Sequence, residues 1–104
     1  MRKRRYEIHL PLRFNDGQPV PAEVLNQTRE ELLARFDGLT VYPHTLLGIW
    51  QHESQRYEDE LVRFAVDVED TEENQFFFTN LKATLLERFQ QIEIYIVSYP
   101  IDRL

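Results

Sequence analysis

Two segments of the chain alternate apolar and polar residues. In the segment YEIHLPLRF (residues 6–14), every second residue from Tyr6 to Phe14 is apolar. In DELVRFAVDVED (residues 59–70), the even-numbered residues from Val62 to Val68 are apolar. A period of two is typical of a β-strand that is buried on one face. Each segment therefore predicts a strand with one side against a core.

A stripe of mostly apolar residues with helical spacing follows each of these strands. Steps of three, four and four residues place the members of a stripe on one face of an α-helix. The two halves also agree at a constant offset of 53 residues, because LLARFDGLTVY (32–42) aligns with LLERFQQIEIY (85–95). Each copy predicts a helix that leads into a strand, and the last strand is expected to begin near Ile92. The stripes consist of Leu25, Thr28, Leu32 and Phe36 in the first half and Phe78, Leu81, Leu85 and Phe89 in the second.

The predicted element order is β-α-β followed by β-α-β. Because crossover connections are right-handed, two such units form a four-stranded antiparallel sheet with both helices on one face. The predicted fold class is therefore α+β, a ferredoxin-like βαββαβ sandwich that forms a single domain over residues 1–104. Residues 43–57 have no counterpart in the second half and predict an inserted β-hairpin. Residues 1–5 are expected to form a basic, solvated N-terminal tail.

The distribution of charge limits the partners of the chain. Four of its twelve basic residues lie in RKRR (residues 2–5), which leaves 8 basic against 18 acidic residues in the body. Such a body repels phosphates, so nucleic acid is not expected as a partner. No run approaches the roughly 18 apolar residues that a membrane span needs, and no membrane association is expected. A cytoplasmic location is the expectation that follows.

The sheet face opposite the helices, called the open face below, carries the residues that point to a function. Strands one and three are the central pair of this topology, so His9 and Arg63 are expected to be neighbours. These two are the catalytic candidates if the chain is an enzyme, because histidine titrates near neutral pH and arginine binds anions. The inserted hairpin contributes an aromatic residue and a second histidine. The residues predicted to bind a ligand or partner are Tyr42, Trp50, His52, Arg63, Tyr95 and Tyr99.

Three interpretations of the open face compete. In the first, two sheets meet in a homodimer, for which tyrosine and arginine are typical interface residues. In the second, the face forms a small-molecule pocket of a cofactor-independent enzyme of the dimeric α+β barrel type. In the third, tyrosines stack single-stranded bases, which the acidic body disfavours. The first leads, so a homodimeric binding module without catalytic activity is expected, and an enzyme is the alternative.

The sequence offers little for other kinds of chemistry. The chain has no cysteine, and its three histidines lack the spacing of common metal motifs. Its two serines do not lie in a nucleophile-elbow pattern, and no glycine-rich phosphate loop is present. We therefore expect neither a metal site nor a cofactor.

The stretches ELLARFDGLTVYP, GIWQ and YEDELVRFAVDVEDTEEN together resemble a family of small, uncharacterised bacterial conserved proteins, a domain of unknown function. The resemblance covers most of the chain from Tyr6 onward. Its shared features are an Arg-Phe-x-Gly-Leu-Thr run, a later Gly-x-Trp and a strand that leads into an acidic helix start. These motifs are structural, so the resemblance implies a fold and transfers no functional residue.

Overall fold

Strands and helices follow one another in the order that the repeat predicts. The computed structural model describes residues 2–104. Its elements are β1 (Lys3–Pro11), α1 (Ala22–Phe36), β2 (Thr40–His52), β3 (Gln55–Glu69), α2 (Glu72–Arg88) and β4 (Ile96–Ile101). The strands form one sheet in the order β2-β3-β1-β4, and every neighbouring pair is antiparallel. The predicted ferredoxin-like α+β fold is confirmed.

The core lies between the sheet and the two helices. The alternating residues Ile8, Leu10 and Phe64 are almost completely buried there. The helix stripes face them, with Leu32 and Leu85 fully buried, and Thr28 is a buried polar residue whose hydroxyl donates to the Val24 carbonyl. The two periodicities of the sequence therefore identify the faces that pack together. None of the helices within residues 2–104 combines the length and the apolar character that crossing a membrane requires.

The two halves of the repeat diverge after their helices. Asp37 and Gln90, which are equivalent at the offset of 53, both adopt a left-handed backbone conformation with φ values of 59° and 54°. β2 then begins at Thr40, but β4 begins only at Ile96, so the expectation of a strand from Ile92 is wrong. Glu93 is the local reason, because its carboxylate accepts from the Ile94 backbone N–H and pairs with Lys82 of α2 at 2.8 Å. Glu93 is thus tied to α2 by an ion pair and is not part of a strand.

The basic N-terminal residues belong to the sheet instead of a free tail. β1 begins at Lys3, and Arg5 forms a bidentate ion pair with Asp67 of β3 at 2.7 and 3.0 Å. Arg4 pairs with Asp70 at 3.0 Å. Hydrogen bonds from Arg5 lower the pKa of the Asp67 carboxyl. The predicted tail of residues 1–5 is therefore replaced by strand from Lys3 onward, and Met1 lies outside the described residues.

β1 also stops earlier than its alternation predicts. It ends at Pro11, opposite Leu61 of β3, although the alternating pattern continues to Phe14. The backbone turns back after Pro11, since the Val20 N–H donates to the Leu12 carbonyl. β3 consequently has no strand partner on its β1 side before Leu61, although the Leu12 backbone N–H still donates to the Glu60 carbonyl at 3.0 Å.

The β2–β3 hairpin extends beyond the end of β1. We call residues 46–60 the ribbon, because only two strands, joined by Glu53 and Ser54, are paired there. Both turn residues have positive φ values, 52° and 66°, as a two-residue type I′ turn requires. A register irregularity between Tyr42 and Leu46, at Pro43, marks the base of the ribbon. The inserted hairpin of residues 43–57 is therefore a continuation of two sheet strands.

Candidate functional site

A cleft of about 480 Å³ lies where the ribbon leaves the sheet. One wall is formed by β2 residues 46–50 and the facing β3 residues Asp59 and Leu61. The other wall comes from the end of β1 and from the loop before β4, namely His9, Pro11, Gln91, Glu93, Ile94 and Tyr95. The cleft exists because β1 ends at Pro11 and β4 starts late. Its volume falls in the range of small-molecule sites, roughly 300–1,000 Å³.

His9 and Tyr95 form the sheet side of the cleft. The His9 backbone N–H donates to the Tyr95 carbonyl at 3.0 Å, and the two rings meet edge to face with centroids 5.2 Å apart. Burial lowers the pKa of the His9 imidazole, the Arg63 charge lowers it further, and the Glu7 charge opposes both. These shifts favour the neutral imidazole, whose two ring nitrogens offer one hydrogen-bond donor and one acceptor.

Trp50 is held in place on the ribbon. Its ring stacks on Tyr57, its cross-strand partner, with centroids 4.5 Å apart, and its indole N–H donates to the Asp59 carboxylate at 3.1 Å. The residue two positions earlier is Gly48, where an added Cβ would lie 2.8 Å from the Leu61 side chain. Leu61 thus fills the space beside Gly48, and the Gly-x-Trp element has a packing role.

A second group of predicted residues surrounds Arg63, outside the cleft. The guanidinium lies 3.9 Å from the centroid of the Tyr42 ring, and one of its terminal nitrogens lies 3.9 Å from a Glu7 carboxylate oxygen. The other Glu7 oxygen accepts from the Tyr99 hydroxyl at 2.7 Å, which raises the pKa of that phenol. Within residues 2–104 the buried Arg63 Nε has no hydrogen-bond partner. The positive charge of Arg63 is thus shared between an aromatic face and a carboxylate.

The structure divides the predicted site residues into three places. His9 and Arg63 are directly opposite each other in the β1–β3 register, as the topology predicts. The cleft brings together His9, Trp50 and Tyr95, whereas Tyr42 and Tyr99 belong to the Arg63 group. His52 lies next to the ribbon turn, 3.8 Å from the Glu53 carboxylate, and does not line the cleft. Its role as a binding residue stays a prediction.

Asp59 is the polar cleft residue that the sequence did not single out. It faces Gly48 across the ribbon, two residues from the pair of Trp50 and Tyr57. With the turn placed at Glu53 and Ser54, counting outward along the two strands would have paired Trp50 with Tyr57 and Gly48 with Asp59. The hairpin was predicted over residues 43–57 without a fixed turn or register, so the cross-strand partners of Trp50 and Gly48 were not assigned.

The cleft is acceptor-rich. Among the described lining residues, Asp59 and Glu93 are acidic and none is Lys or Arg. Glu93 is compensated by Lys82, while Asp59 accepts only from the Trp50 indole. Within residues 2–104, no group of three or more His, Asp or Glu residues is arranged to hold a metal ion.

No protein-family model and no curated protein matches the chain. Solved structures with the same fold do exist. A phage S-adenosylmethionine (SAM) lyase in complex with S-methyl-5′-thioadenosine matches 97% of this chain and 90% of its own, with 14% identity and a TM-score of 0.68. The divalent cation tolerance protein CutA1 of Thermus thermophilus matches 97% and 85%, with 17% identity and a TM-score of 0.64. CutA1 of Oryza sativa matches 99% and 83%, with 8% identity and a TM-score of 0.65. At these identities, the likeness establishes that the chain shares the ferredoxin-like fold of the CutA1 proteins.

Proposed function

We propose that the protein is a homodimeric binding module without catalytic activity, in which the ribbon joins two copies and the adjoining cleft holds a small molecule. One observation carries the proposal. The ribbon is a two-stranded element that leaves Leu47 65% and Ile49 58% exposed, and both lie in the ribbon wall of the cleft. Large apolar side chains grouped on one exposed element are characteristic of interaction surfaces.

The geometry of the ribbon favours a second copy as the partner. An isolated two-stranded ribbon is only marginally stable in water and gains stability from a further strand. β2 pairs with β3 on one side, and its other side is an edge of the described sheet. Two identical edges can pair antiparallel about a two-fold axis, because each strand then presents the same groups to the other. Residues 46–52 contain no proline that would interrupt such pairing.

Solution mass tests the dimer. The wild-type chain of 12.6 kDa is expected to scatter light as a species of about twice that mass. The double variant Leu47→Lys, Ile49→Lys is expected to be monomeric, since two charges would lie in the contact. Phe76→Lys on α2 is the matched control, because Phe76 is 67% exposed and lies away from the ribbon, and this variant should remain dimeric. A wild-type monomer at about 100 µM would overturn the proposed dimer.

We also propose that the chain belongs to the small bacterial family that it resembles and acts in the cytoplasm. Two of the features shared with that family have a structural purpose here. Gly48 makes room for Leu61 beside Trp50, and Asp70 and Thr71 join β3 to α2, with the Thr71 hydroxyl accepting from the Asn74 N–H at 3.2 Å. Fractionation of cells that express the untagged chain tests the location, and recovery of the protein with membranes would contradict it.

The alternative is a small cofactor-independent enzyme that uses the same cleft. The position of His9 in the cleft wall favours it, because burial lowers the pKa of His9 and an imidazole in its neutral form can act as a general base. Arg63 does not line the cleft, so His9 would have to act without it. The phage neighbour is a SAM lyase, which suggests a direct assay: incubation with SAM, with S-methyl-5′-thioadenosine as the product to be detected. Formation of this product by the wild type but not by His9→Gln would favour the enzyme, and its absence would count against this reaction.

A further inference from the structure

We propose that the cleft takes a planar heteroaromatic molecule that carries hydrogen-bond donors and no phosphate. This inference rests on the proposed function, namely that the cleft is a small-molecule site. It adds the chemical class of the ligand, and the class follows from three properties of the described lining: its rings, its acceptors and its charge.

The rings provide the apolar surface for a planar molecule. Tyr95 is 59% exposed, and its ring meets the His9 ring at an interplanar angle of 76°. Trp50 is fixed across the cleft by its stack on Tyr57 and by its bond to Asp59. Leu46, Leu61 and Ile94 are among the aliphatic side chains that also line the cleft. Rings that are already held in place lose little conformational entropy when a flat ligand packs against them.

The polar groups of the cleft are mainly acceptors. Asp59 uses one carboxylate oxygen for Trp50, and in the described chain its other oxygen has no hydrogen-bond donor. Glu93 similarly engages one oxygen with Lys82 and Ile94. A ligand amine or hydroxyl group would supply donors for the remaining oxygens, and neutral His9 could supply or receive one more.

The charge of the cleft argues against phosphate. Proteins bind phosphate with Arg, Lys or clustered backbone N–H groups, and the described lining contains no Arg or Lys. Two basic side chains next to lining residues are already engaged, because Arg63, opposite His9, stacks on Tyr42, and Lys82 pairs with the lining carboxylate of Glu93. A phosphate in the cleft would therefore meet the Asp59 carboxylate without compensation, and charges of like sign repel strongly at such short distances.

Adenosine and AMP form the matched probe pair, because they share a ring and differ by one phosphate. Trp50 is the only tryptophan of the chain and lines the cleft, so its fluorescence responds to binding there. Adenosine is expected to change this fluorescence in a saturable way, and AMP should bind at least about tenfold more weakly. Backbone amide shifts at His9 and Tyr95 provide a second measurement of the same binding.

Variants at Asp59 test whether its carboxylate causes the preference for adenosine over AMP. Asp59→Asn retains an acceptor for Trp50 and should reduce the preference for adenosine, while Asp59→Lys should reverse it. Glu58→Lys is the control, since Glu58 is the exposed neighbour on β3, does not line the cleft and should leave the preference unchanged. Binding of AMP as tightly as adenosine, or binding of neither at millimolar concentration, would overturn the inference. Light scattering on the same samples reports the dimer separately, so the proposed dimer and the proposed ligand class are tested independently of each other.

Discussion

The covered part of the sheet and the ribbon share strands β2 and β3, but the surroundings of these strands differ between the two regions. Beneath α1 and α2, β1 and β3 place Ile8, Leu10 and Phe64 in a core that excludes water. Further along the same hairpin, β2 and β3 pair only with each other, and Leu47 and Ile49 are exposed. The difference arises at Pro11, where β1 ends and the sheet narrows to two strands.

This comparison separates residues that maintain the fold from residues available for function. Burial of apolar area is the main stabilising term, so the covered region accounts for most of the stability of the domain. The ribbon contributes little by itself, because a hairpin without a third strand or a covering helix is marginal. Its exposed aliphatic side chains therefore add little to folding and are the residues on which the proposed dimer depends.

The largest expected effect comes from a leucine-to-alanine substitution, made once in the covered region and once in the ribbon. Leu32→Ala on α1 removes a fully buried side chain and should lower the free energy of unfolding by about 2–5 kcal/mol. Leu47→Ala on the ribbon should lower it by less than about 0.5 kcal/mol at concentrations where the chain is monomeric. Urea denaturation measures both values. Equal losses would show that the ribbon is part of the cooperative core.

A smaller effect is expected from Trp50→Ala, which tests how the ribbon holds itself together. The variant loses the stack on Tyr57 and the bond to Asp59, which together contribute about 1–2 kcal/mol to the local structure. Hydrogen exchange of the amides in residues 46–60 should accelerate by about tenfold or more, while the β1 amides keep their protection. Uniform acceleration across the sheet would contradict the separation of the two regions.

The smallest effect is expected in the pH dependence of folding stability, through His9, which lies where the ribbon leaves the covered sheet. Because the pKa of His9 is lowered by burial and then by Arg63, with Glu7 opposing, the unfolded chain binds a proton more readily than the native one. The wild type should therefore lose stability relative to His9→Gln as the pH falls from about 7.5 toward about 5. NMR titration measures the His9 pKa directly, and Arg63→Gln should bring it closer to its usual range. A pKa at or above that range in the wild type would contradict the assignment.

The sequence predicted the fold well because its signals are local. The alternation around Ile8 and Phe64 and the helical stripes through Leu32 and Leu85 each depend on neighbours within a few residues. The internal repeat then ordered these elements, and the topology placed His9 opposite Arg63. The late start of β4 was missed, since it depends on a pair between Glu93 and Lys82, eleven residues apart on separate elements.

The candidate site was predicted only in part. His9, Trp50 and Tyr95 were identified as residue types on expected faces, and the cleft does bring them together. Arg63 and Tyr99 were assigned to the same face but belong to a separate group around Glu7. Parity along a strand gives the face of a residue, and it does not give the neighbours across strands, which depend on register.

The sequence by itself determined the elements, their order and the faces that pack, because hydrophobic periodicity along the chain is enough to specify them. Only the tertiary structure decided where pairing stops. Because β1 ends at Pro11, β2 and β3 continue beyond it as a two-stranded ribbon. The register across the Glu53–Ser54 turn places Asp59 in the same cleft as Trp50 and His9. Both depend on how distant segments align, and the energy of that alignment is spread over the whole sheet and is not encoded in any short segment.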